Sequence, residues 1–313
     1  MSLKVVFMGT PDFAVTALAA IHASQHKIVG VITNIDKAAG RGKKIRTSAV
    51  KEYALEQQLP LFQPPSLKDP AFIDEMTALN ADVFVVVAFR MLPKVLWSIP
   101  PLGTFNLHAS LLPNYRGAAP INWAIINRER YTGVTTFLID EKIDTGQVLL
   151  QEKIQIEKGE TAGSLHDKLA PMGGGLIVTT LDELNNGITP LPQQLEGNEH
   201  DAPKLTKENT QIDWNKSLLE IEALINGLSP YPVAWTNLIE KEKEERIKIY
   251  EASAELCKHD YSPLSLVVEN KGMKIAHPDG FLHLNSVQLP NKRRMQVRDL
   301  LNGQQFSSLT QVK

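Results

Sequence analysis

The side chains best suited to chemistry lie in one stretch, NLHASLLPNYRGAAP, at residues 106–120. Asn106 and His108 end a predicted strand, and the alternation of side chains along a strand places both on one face. Asp144 lies in a glycine-containing turn that follows another predicted strand. An amide, an imidazole and a carboxylate that meet at the carboxyl edge of a parallel sheet can handle an amine and a polarised carbonyl group. Taken singly, each of these residues is more often structural.

Two familiar phosphate-binding patterns are missing. A dinucleotide-binding fold needs Gly-x-Gly-x-x-Gly after its first strand, whereas this chain has GTPDFA at 9–14, with one glycine. The segment GRGK at 40–43 lacks the earlier glycine of a P-loop. These sequences argue against an NAD-linked dehydrogenase. The single cysteine, Cys257, excludes an internal disulfide and a cysteine-based zinc cluster, and we expect no metal.

Length and composition indicate an ordinary globular protein. The 313 residues exceed a typical single core, which favours two domains. Hydrophobic residues make up 43% of the chain and charged residues 22%, as in most globular proteins. We find no apolar run of about 18 residues and no basic-then-apolar export signal. We therefore expect a cytoplasmic protein with no membrane partner.

Strand-like and helical patterns alternate through the first part of the chain, which predicts an α/β fold with a doubly wound, mostly parallel sheet. The predicted strands lie at 3–8, 27–33, 82–88, 103–107 and 133–139. A Pro-rich polar stretch follows, and then a helix and several short strand-like runs that predict a small β-barrel resembling an OB fold. The predicted domains are 1–189 and 208–313, joined by a linker at 190–207.

A cluster of basic side chains stands out against the net charge of −2. Residues 37–51 contain six basic residues and no acidic ones, and a shorter cluster lies at 292–294. Such a run is usually a solvated surface. Glycines and unpaired cations beside the ligand edge of a sheet are also what a nucleic-acid contact requires.

Together, these motifs resemble the folate-dependent formyltransferases. The pattern Asn-x-His-x-Ser-Leu-Leu-Pro, continued by Tyr-Arg-Gly-Ala-Ala-Pro, carries the resemblance. Four further segments narrow it to the branch of the family that acts on methionyl-tRNA: GTPDFA at 9–14, AGRGK at 39–43, IDW at 212–214 and PYPVAW at 230–235. The match covers essentially the whole chain, in order.

The resemblance implies a Rossmann-like catalytic domain that moves a formyl group from 10-formyltetrahydrofolate to an amine, without a metal or a covalent intermediate. Asn106 and His108 would donate hydrogen bonds to the oxyanion, while Asp144 would orient His108 and assist proton transfer. The folate would contact the following residues: Ser110, Leu111, Leu112, Pro113, Val87, Ala88, Phe89, Arg90, Ile139 and Asp140. The Leu112–Pro113 bond is expected to be cis.

The acceptor that the resemblance implies is initiator methionyl-tRNA, and the expected form of the protein is a monomer. The transfer RNA would be bound by Arg41, Lys43, Lys44, Arg46 and Lys207. The chain departs from the family at AFRMLP (88–93), where the loop is one residue shorter and carries Arg90. We expect Arg90 to meet the acidic tail of the folate or to face solvent.

Two alternatives stay open. A formyltransferase for a small amine, such as a nucleotide-linked amino sugar or glycinamide ribonucleotide, would share the same catalytic trio. The basic loop and the barrel argue against it, because a small substrate needs neither. An RNA-binding module with an inactive enzyme domain would have no use for the trio.

Overall fold

The computed structural model describes residues 2–39, 44–240 and 243–313. The chain forms two compact units. The first comprises Met1–Pro120, Thr132–Ile154 and His166–Asp201, and the second comprises Ile121–Tyr131, Gln155–Leu165 and Ala202–Lys313. Two segments from inside the first predicted domain therefore belong to the second unit.

Eighteen strands are present in the described residues, in this order: β1 (Lys4–Gly9), β2 (Lys27–Ile32), β3 (Lys37–Ala39), β4 (Lys44–Arg46), β5 (Leu61–Phe62), β6 (Val83–Val87), β7 (Thr104–His108), β8 (Arg116–Gly117), β9 (Tyr131–Leu138), β10 (Val148–Gln155), β11 (Asp201–Ala202), β12 (Ala234–Glu240), β13 (Lys243–Leu256), β14 (Leu266–Glu269), β15 (Gly272–His277), β16 (Gly280–Gln288), β17 (Met295–Gln296) and β18 (Gln311–Val312). The helices of the same described part are α1 (Asp12–His22), α2 (Ala49–Glu56), α3 (Pro70–Ala78), α4 (Lys94–Trp97), α5 (Pro120–Ile126), α6 (Ala162–Asn186), α7 (Leu218–Leu228) and α8 (Val297–Leu300).

The main sheet of the first unit has the order β10-β9-β7-β6-β1-β2-β5. Strands β5, β2, β1, β6 and β7 run parallel, as the alternating pattern predicts. Every residue of β6 is buried, which explains its uninterrupted run of Val and Phe. Strand β9 runs antiparallel to β7, a direction that the apolar pattern does not encode.

Helix α6 contains three consecutive glycines, and the structure explains two of them by close packing. A Cβ at Gly173 would lie 2.6 Å from the Leu107 side chain of β7. A Cβ at Gly174 would lie 3.2 Å from Ala20 of α1. Gly175 has open space around it. The small residues let the helix lie directly on the strand that carries the candidate site.

In the second unit, an antiparallel sheet closes on itself. Its order is β14-β15-β16-β13-β12-β18, and β17 pairs with β16. A bridge between Ser265 and Gln311 joins the two ends of that order, so the sheet forms the predicted barrel. Helix α7 begins with a capping box between Ser217 and Glu220 and packs its buried residues on the same core. Within this unit, Asn122 of α5 donates to the carbonyl of Gly227 at 2.7 Å.

No helix in the described residues is both long and apolar enough to cross a membrane. Among the same residues, no group of three or more His, Cys, Asp or Glu side chains could hold a metal ion. His22 and His26 have the spacing of a helical metal pair, but they bond to different partners. His22 contacts the Tyr53 hydroxyl at 3.4 Å, while Nδ1 of the buried His26 accepts from the Leu3 amide at 3.2 Å.

Candidate active site

Strand β7 delivers Asn106 and His108 to the edge of the sheet at which β1 and β6 also end. Asn106 is half-buried, and no hydrogen bond of its side chain is found within the described part of the chain. His108 is buried, with 6% of its surface exposed. One amide donor is therefore free beside an imidazole that the protein encloses.

The ring of His108 is held from one side by main chain. Its Nε2 lies 2.7 Å from the carbonyl oxygen of Tyr115. A carbonyl can only accept, so Nε2 carries the hydrogen. The other nitrogen, Nδ1, lies 3.8 Å from a carboxylate oxygen of Asp144, which is longer than a hydrogen bond. The orienting contact of His108 therefore comes from Tyr115, and Asp144 is its charged neighbour.

Asp144 reaches His108 by a route that the sequence does not indicate. In the antiparallel pairing, Leu138 at the end of β9 lies opposite Phe105 near the beginning of β7. The loop at 139–147 must therefore run back towards the end of β7. Asp144 has a positive φ of 56° in this loop, and its carboxylate accepts a hydrogen bond from the Gly117 amide at 2.9 Å. The amide of Gly117 and the carbonyl of Tyr115 are site groups that leave no side-chain signature.

The predicted folate residues after β7 are tied into the fold. The Leu112–Pro113 bond is cis, as expected. The Ser110 hydroxyl donates to the Asn114 carbonyl at 2.6 Å, and the Leu112 carbonyl accepts from the Gln151 amide at 2.8 Å. Leu112 is buried, whereas Leu111 and Pro113 are half-buried. These contacts give the turn a defined shape next to His108.

The other predicted folate residues lie on two segments. Residues 87–90 follow the end of β6, whereas the Ile139 amide donates to the Thr104 carbonyl at the beginning of β7. Phe89 and Ile139 pack on the same apolar cluster, which includes Leu92 and Leu96. Val87 is buried, while Ala88 turns the chain with a φ of 47°. The exposed Asp140 accepts from the Thr145 hydroxyl at 2.8 Å. The structure thus places Phe89 and Ile139 against one apolar cluster and leaves Asp140 at the surface.

Arg90 is half-buried and hydrogen-bonded within the fold. Its guanidinium donates to the carbonyls of Pro64 at 2.7 Å and Pro65 at 3.4 Å. Burial lowers the pKa of Arg90, because it disfavours the charged form. Its Nε is buried without a hydrogen-bond partner in the described structure. A buried donor without a partner is uncommon in folded proteins.

The predicted transfer-RNA residues are only partly visible. Arg41 and Lys43 lie outside the described residues. Lys44 and Arg46 lie on β4, whose backbone pairs with β3 in an antiparallel hairpin. In the second unit, the ammonium of Lys207 lies 5.9 Å from the ring centre of Trp235, and the guanidinium of Arg246 lies 4.1 Å from it.

One cation of the basic cluster is already paired. Lys51 donates to Asp36 at 2.6 Å, and Gln63 donates to the same carboxylate at 3.1 Å. The hydrogen bond from Lys51, followed by the one from Gln63, holds the pKa of Asp36 below its usual value. Lys51 therefore binds the residue that precedes β3.

Two family models match the chain. Residues 3–181 match the formyl transferase model, and residues 204–305 match the model of the formyl transferase C-terminal domain. A methionyl-tRNA formyltransferase of Flavobacterium johnsoniae is 56% identical over 311 residues, which cover 99% of each chain.

Solved structures share the fold at much lower identity. An N-formyltransferase from Helicobacter canadensis, in complex with folinic acid and dTDP-3-aminofucose, has a TM-score of 0.66 and 22% identity over 94% of this chain and all of that one. HypX from Aquifex aeolicus, in complex with tetrahydrofolic acid, has a TM-score of 0.65 and 17% identity over 96% of this chain. The chain spans about half the length of HypX, 47% of it.

Proposed function

The chain belongs to the formyl transferase family, and on that premise we propose that it transfers the formyl group of 10-formyltetrahydrofolate to the amino group of initiator methionyl-tRNA. The observation that carries the proposal is the meeting of His108 and Asp144, 3.8 Å apart, on the edge where the unpartnered amide of Asn106 lies. The 56% identity to a methionyl-tRNA formyltransferase favours this acceptor over a small amine.

The folate donor supplies an activated formyl carbon for attack by the amine. Asn106 and His108 bind the formyl oxygen and stabilise the negative charge that develops on it. Because Tyr115 holds Nε2 of His108, the ring donates to the substrate from Nδ1, and it does so only when both nitrogens carry hydrogen. Asp144 lies 3.8 Å from Nδ1 and takes the proton of the attacking nitrogen, directly or through water. The bond from the formyl carbon to the folate nitrogen breaks, and that nitrogen takes up a proton.

The residues at the end of β6 fit a flat, polar-edged ring. Phe89 and Ile139 pack on one apolar cluster and are proposed to contact the faces of this ring. The main chain of 87–90 is proposed to bind its polar edge. The buried Nε of Arg90, which has no partner among the described residues, is proposed as a further donor to the ring. Ser110, Leu111, Leu112 and Pro113, which directly follow the end of β7, are proposed to form one wall of the folate site.

The basic segment is proposed to bind the acceptor end of the transfer RNA. In sequence, Arg41 and Lys43 fall between β3 and β4, and Lys44 and Arg46 lie on β4. These two strands form a separate two-stranded sheet that follows β2 along the chain. Basic side chains of such a segment can contact the phosphates of a nucleic acid. In the barrel, Lys207 and Arg246 flank Trp235 and present positive charge to a phosphate backbone. We assign catalysis to 1–189 and RNA binding to 208–313, and we expect a monomer.

A comparison of acceptors tests the proposal. Purified protein and 10-formyltetrahydrofolate are incubated with initiator methionyl-tRNA, elongator methionyl-tRNA, a nucleotide-linked amino sugar or glycinamide ribonucleotide. We expect rapid formylation of the initiator alone. Formylation of a small amine with both transfer RNAs untouched would keep the chemistry and overturn the acceptor.

A further inference from the structure

A glutamine in the predicted linker joins the two loops of the candidate site. Both hydrogens of the Gln193 amide are used, one on the carbonyl of Asp144 at 3.0 Å and one on the carbonyl of Gly146 at 2.8 Å. Its oxygen accepts from Nε of Arg116 at 3.1 Å and from Nη2 at 2.5 Å. An amide can make four hydrogen bonds, and this one makes all four.

The residues that Gln193 joins are those that set the position of Asp144. Arg116 is the neighbour of Gly117, whose amide holds the Asp144 carboxylate at 2.9 Å. Gln193 therefore makes a second link between the two loops that the Asp144 carboxylate already joins. It binds main-chain carbonyls of the Asp144 loop on one side and the Arg116 guanidinium on the other. The Asp144 carboxylate, which has to do chemistry, thus shares the task of holding the two loops together with Gln193.

The chain that follows Gln193 also supports His108, the partner of Asp144. Seven residues further on, the carbonyl of His200 accepts from the Tyr115 amide at 2.5 Å. The His200 amide donates to the Asn114 side chain at 3.2 Å, and the rings of His200 and Tyr115 lie 5.7 Å apart. Tyr115 is the residue whose carbonyl holds His108.

We propose that Gln193 is a positioning residue for formyl transfer, which sets the separation of Asp144 and His108 by clamping their two loops together. The proposal rests on the proposed function for its kinetic consequence and on geometry alone for its structural one. A displacement of about 1 Å at a catalytic group can cost about 10²-fold in rate. The 3.8 Å gap between Asp144 and His108 has no direct hydrogen bond to preserve it.

Two substitutions of Gln193 separate its bonds to the Asp144 loop from its bonds to Arg116. Gln193→Ala removes all four hydrogen bonds. Gln193→Glu keeps two acceptor oxygens for Arg116, now with opposite charge, and removes both donors to the Asp144 loop. Gln194→Ala is the matched control, since Gln194 is its exposed neighbour.

We expect both Gln193 variants to lose about 10–100-fold in kcat, with KM for each substrate within about twofold of wild type, because binding is kept while the catalytic pair is displaced. In NMR spectra of histidine-labelled protein, the ring signals of His108 should move in both variants and stay in place in Gln194→Ala. The thermal unfolding midpoint of Gln193→Glu should stay close to that of wild type.

Unchanged kcat and unchanged His108 signals in both Gln193 variants would overturn the positioning role. A fall in thermal midpoint that accounts for the loss of activity would overturn it too, because Gln193 would then serve the fold. If wild type itself does not formylate methionyl-tRNA, the proposed function fails, and the NMR comparison still decides whether Gln193 positions the pair.

Discussion

The carbonyl oxygen of Tyr115 lies 2.7 Å from Nε2 of His108 and thereby decides which nitrogen of the ring faces the site. Nδ1 is left as the reactive nitrogen, 3.8 Å from Asp144. A neutral His108 would present only a lone pair there, so donation to the formyl oxygen requires the doubly protonated ring.

The charge of Asp144 should matter more than its shape. In Asp144→Asn, the remaining side-chain oxygen can still accept from the Gly117 amide, but the negative charge beside His108 is gone. We expect kcat to fall about 10²-fold or more, with the fold intact. Steady-state kinetics and circular dichroism provide the measurement.

Glu141→Gln is the control, because Glu141 lies exposed in the same loop and pairs only with Lys94 in the described structure. Its turnover should match wild type. Equal losses in the two variants would show that the loop tolerates no change, and the role of the Asp144 charge would be unsupported.

Arg41 should affect the transfer RNA and leave the folate untouched. If Arg41 neutralises a phosphate, Arg41→Ala raises KM for the transfer RNA and leaves KM for 10-formyltetrahydrofolate unchanged. The difference from wild type should be largest at low salt and shrink as salt rises, because the variant releases fewer counterions on binding. Lys68→Ala, at an exposed lysine of the first unit, is the control. A parallel rise in both KM values would assign Arg41 to the fold or to the folate site.

Two glycines of α6 should respond in opposite directions to the same change. Gly173→Ala forces a Cβ to within 2.6 Å of Leu107, and such overpacking costs about 1–3 kcal/mol. Gly175→Ala enters open space in a helix and should stabilise the protein by about 0.5–1 kcal/mol. Urea unfolding measures both. Destabilisation of equal size in the two variants would contradict the packing of α6 on β7.

The ion pair at the base of the β3–β4 hairpin should make a pH-dependent contribution to stability. Hydrogen bonds from Lys51 and Gln63 lower the pKa of Asp36 in the folded state. The contribution is therefore present above the unfolded-state pKa and is lost as pH falls through the folded-state pKa. Asp36→Asn should lower the thermal midpoint at neutral pH and converge with wild type in acid. A constant difference across that range would exclude the ion pair as its source. Asp74→Asn, at an exposed helical position, is the control.

Much of the sheet could be predicted from the sequence, because burial leaves a pattern in residue type. The Val-rich run of β6 and the apolar runs of β1 and β7 correspond to strands within a residue or two. The antiparallel direction of β9 could not be predicted, because an apolar run has the same composition whichever way the strand runs. The loop at 139–147 consequently meets His108 by a path that the sequence does not indicate.

The residues that hold His108 and Asp144 in place could not be predicted from the sequence either. Tyr115 and Gly117 act through main-chain atoms, which every residue shares. Gln193 and His200 lie in a Pro-rich polar stretch that reads as a linker, and nothing in their types distinguishes them from solvated residues. Helix α5, at Pro120–Ile126, belongs almost wholly to the second unit, through contacts such as that of Asn122 with Gly227. Such long-range contacts have no local signature.

The central claim is tested most directly by following a labelled formyl group from 10-formyltetrahydrofolate to initiator methionyl-tRNA, with wild type and His108→Ala side by side. We expect the label on the methionine nitrogen with wild type, and a rate lower by about 10²-fold or more with His108→Ala. Label transfer at equal rates by the two proteins would contradict the catalytic site described here. No transfer by wild type would contradict the function itself.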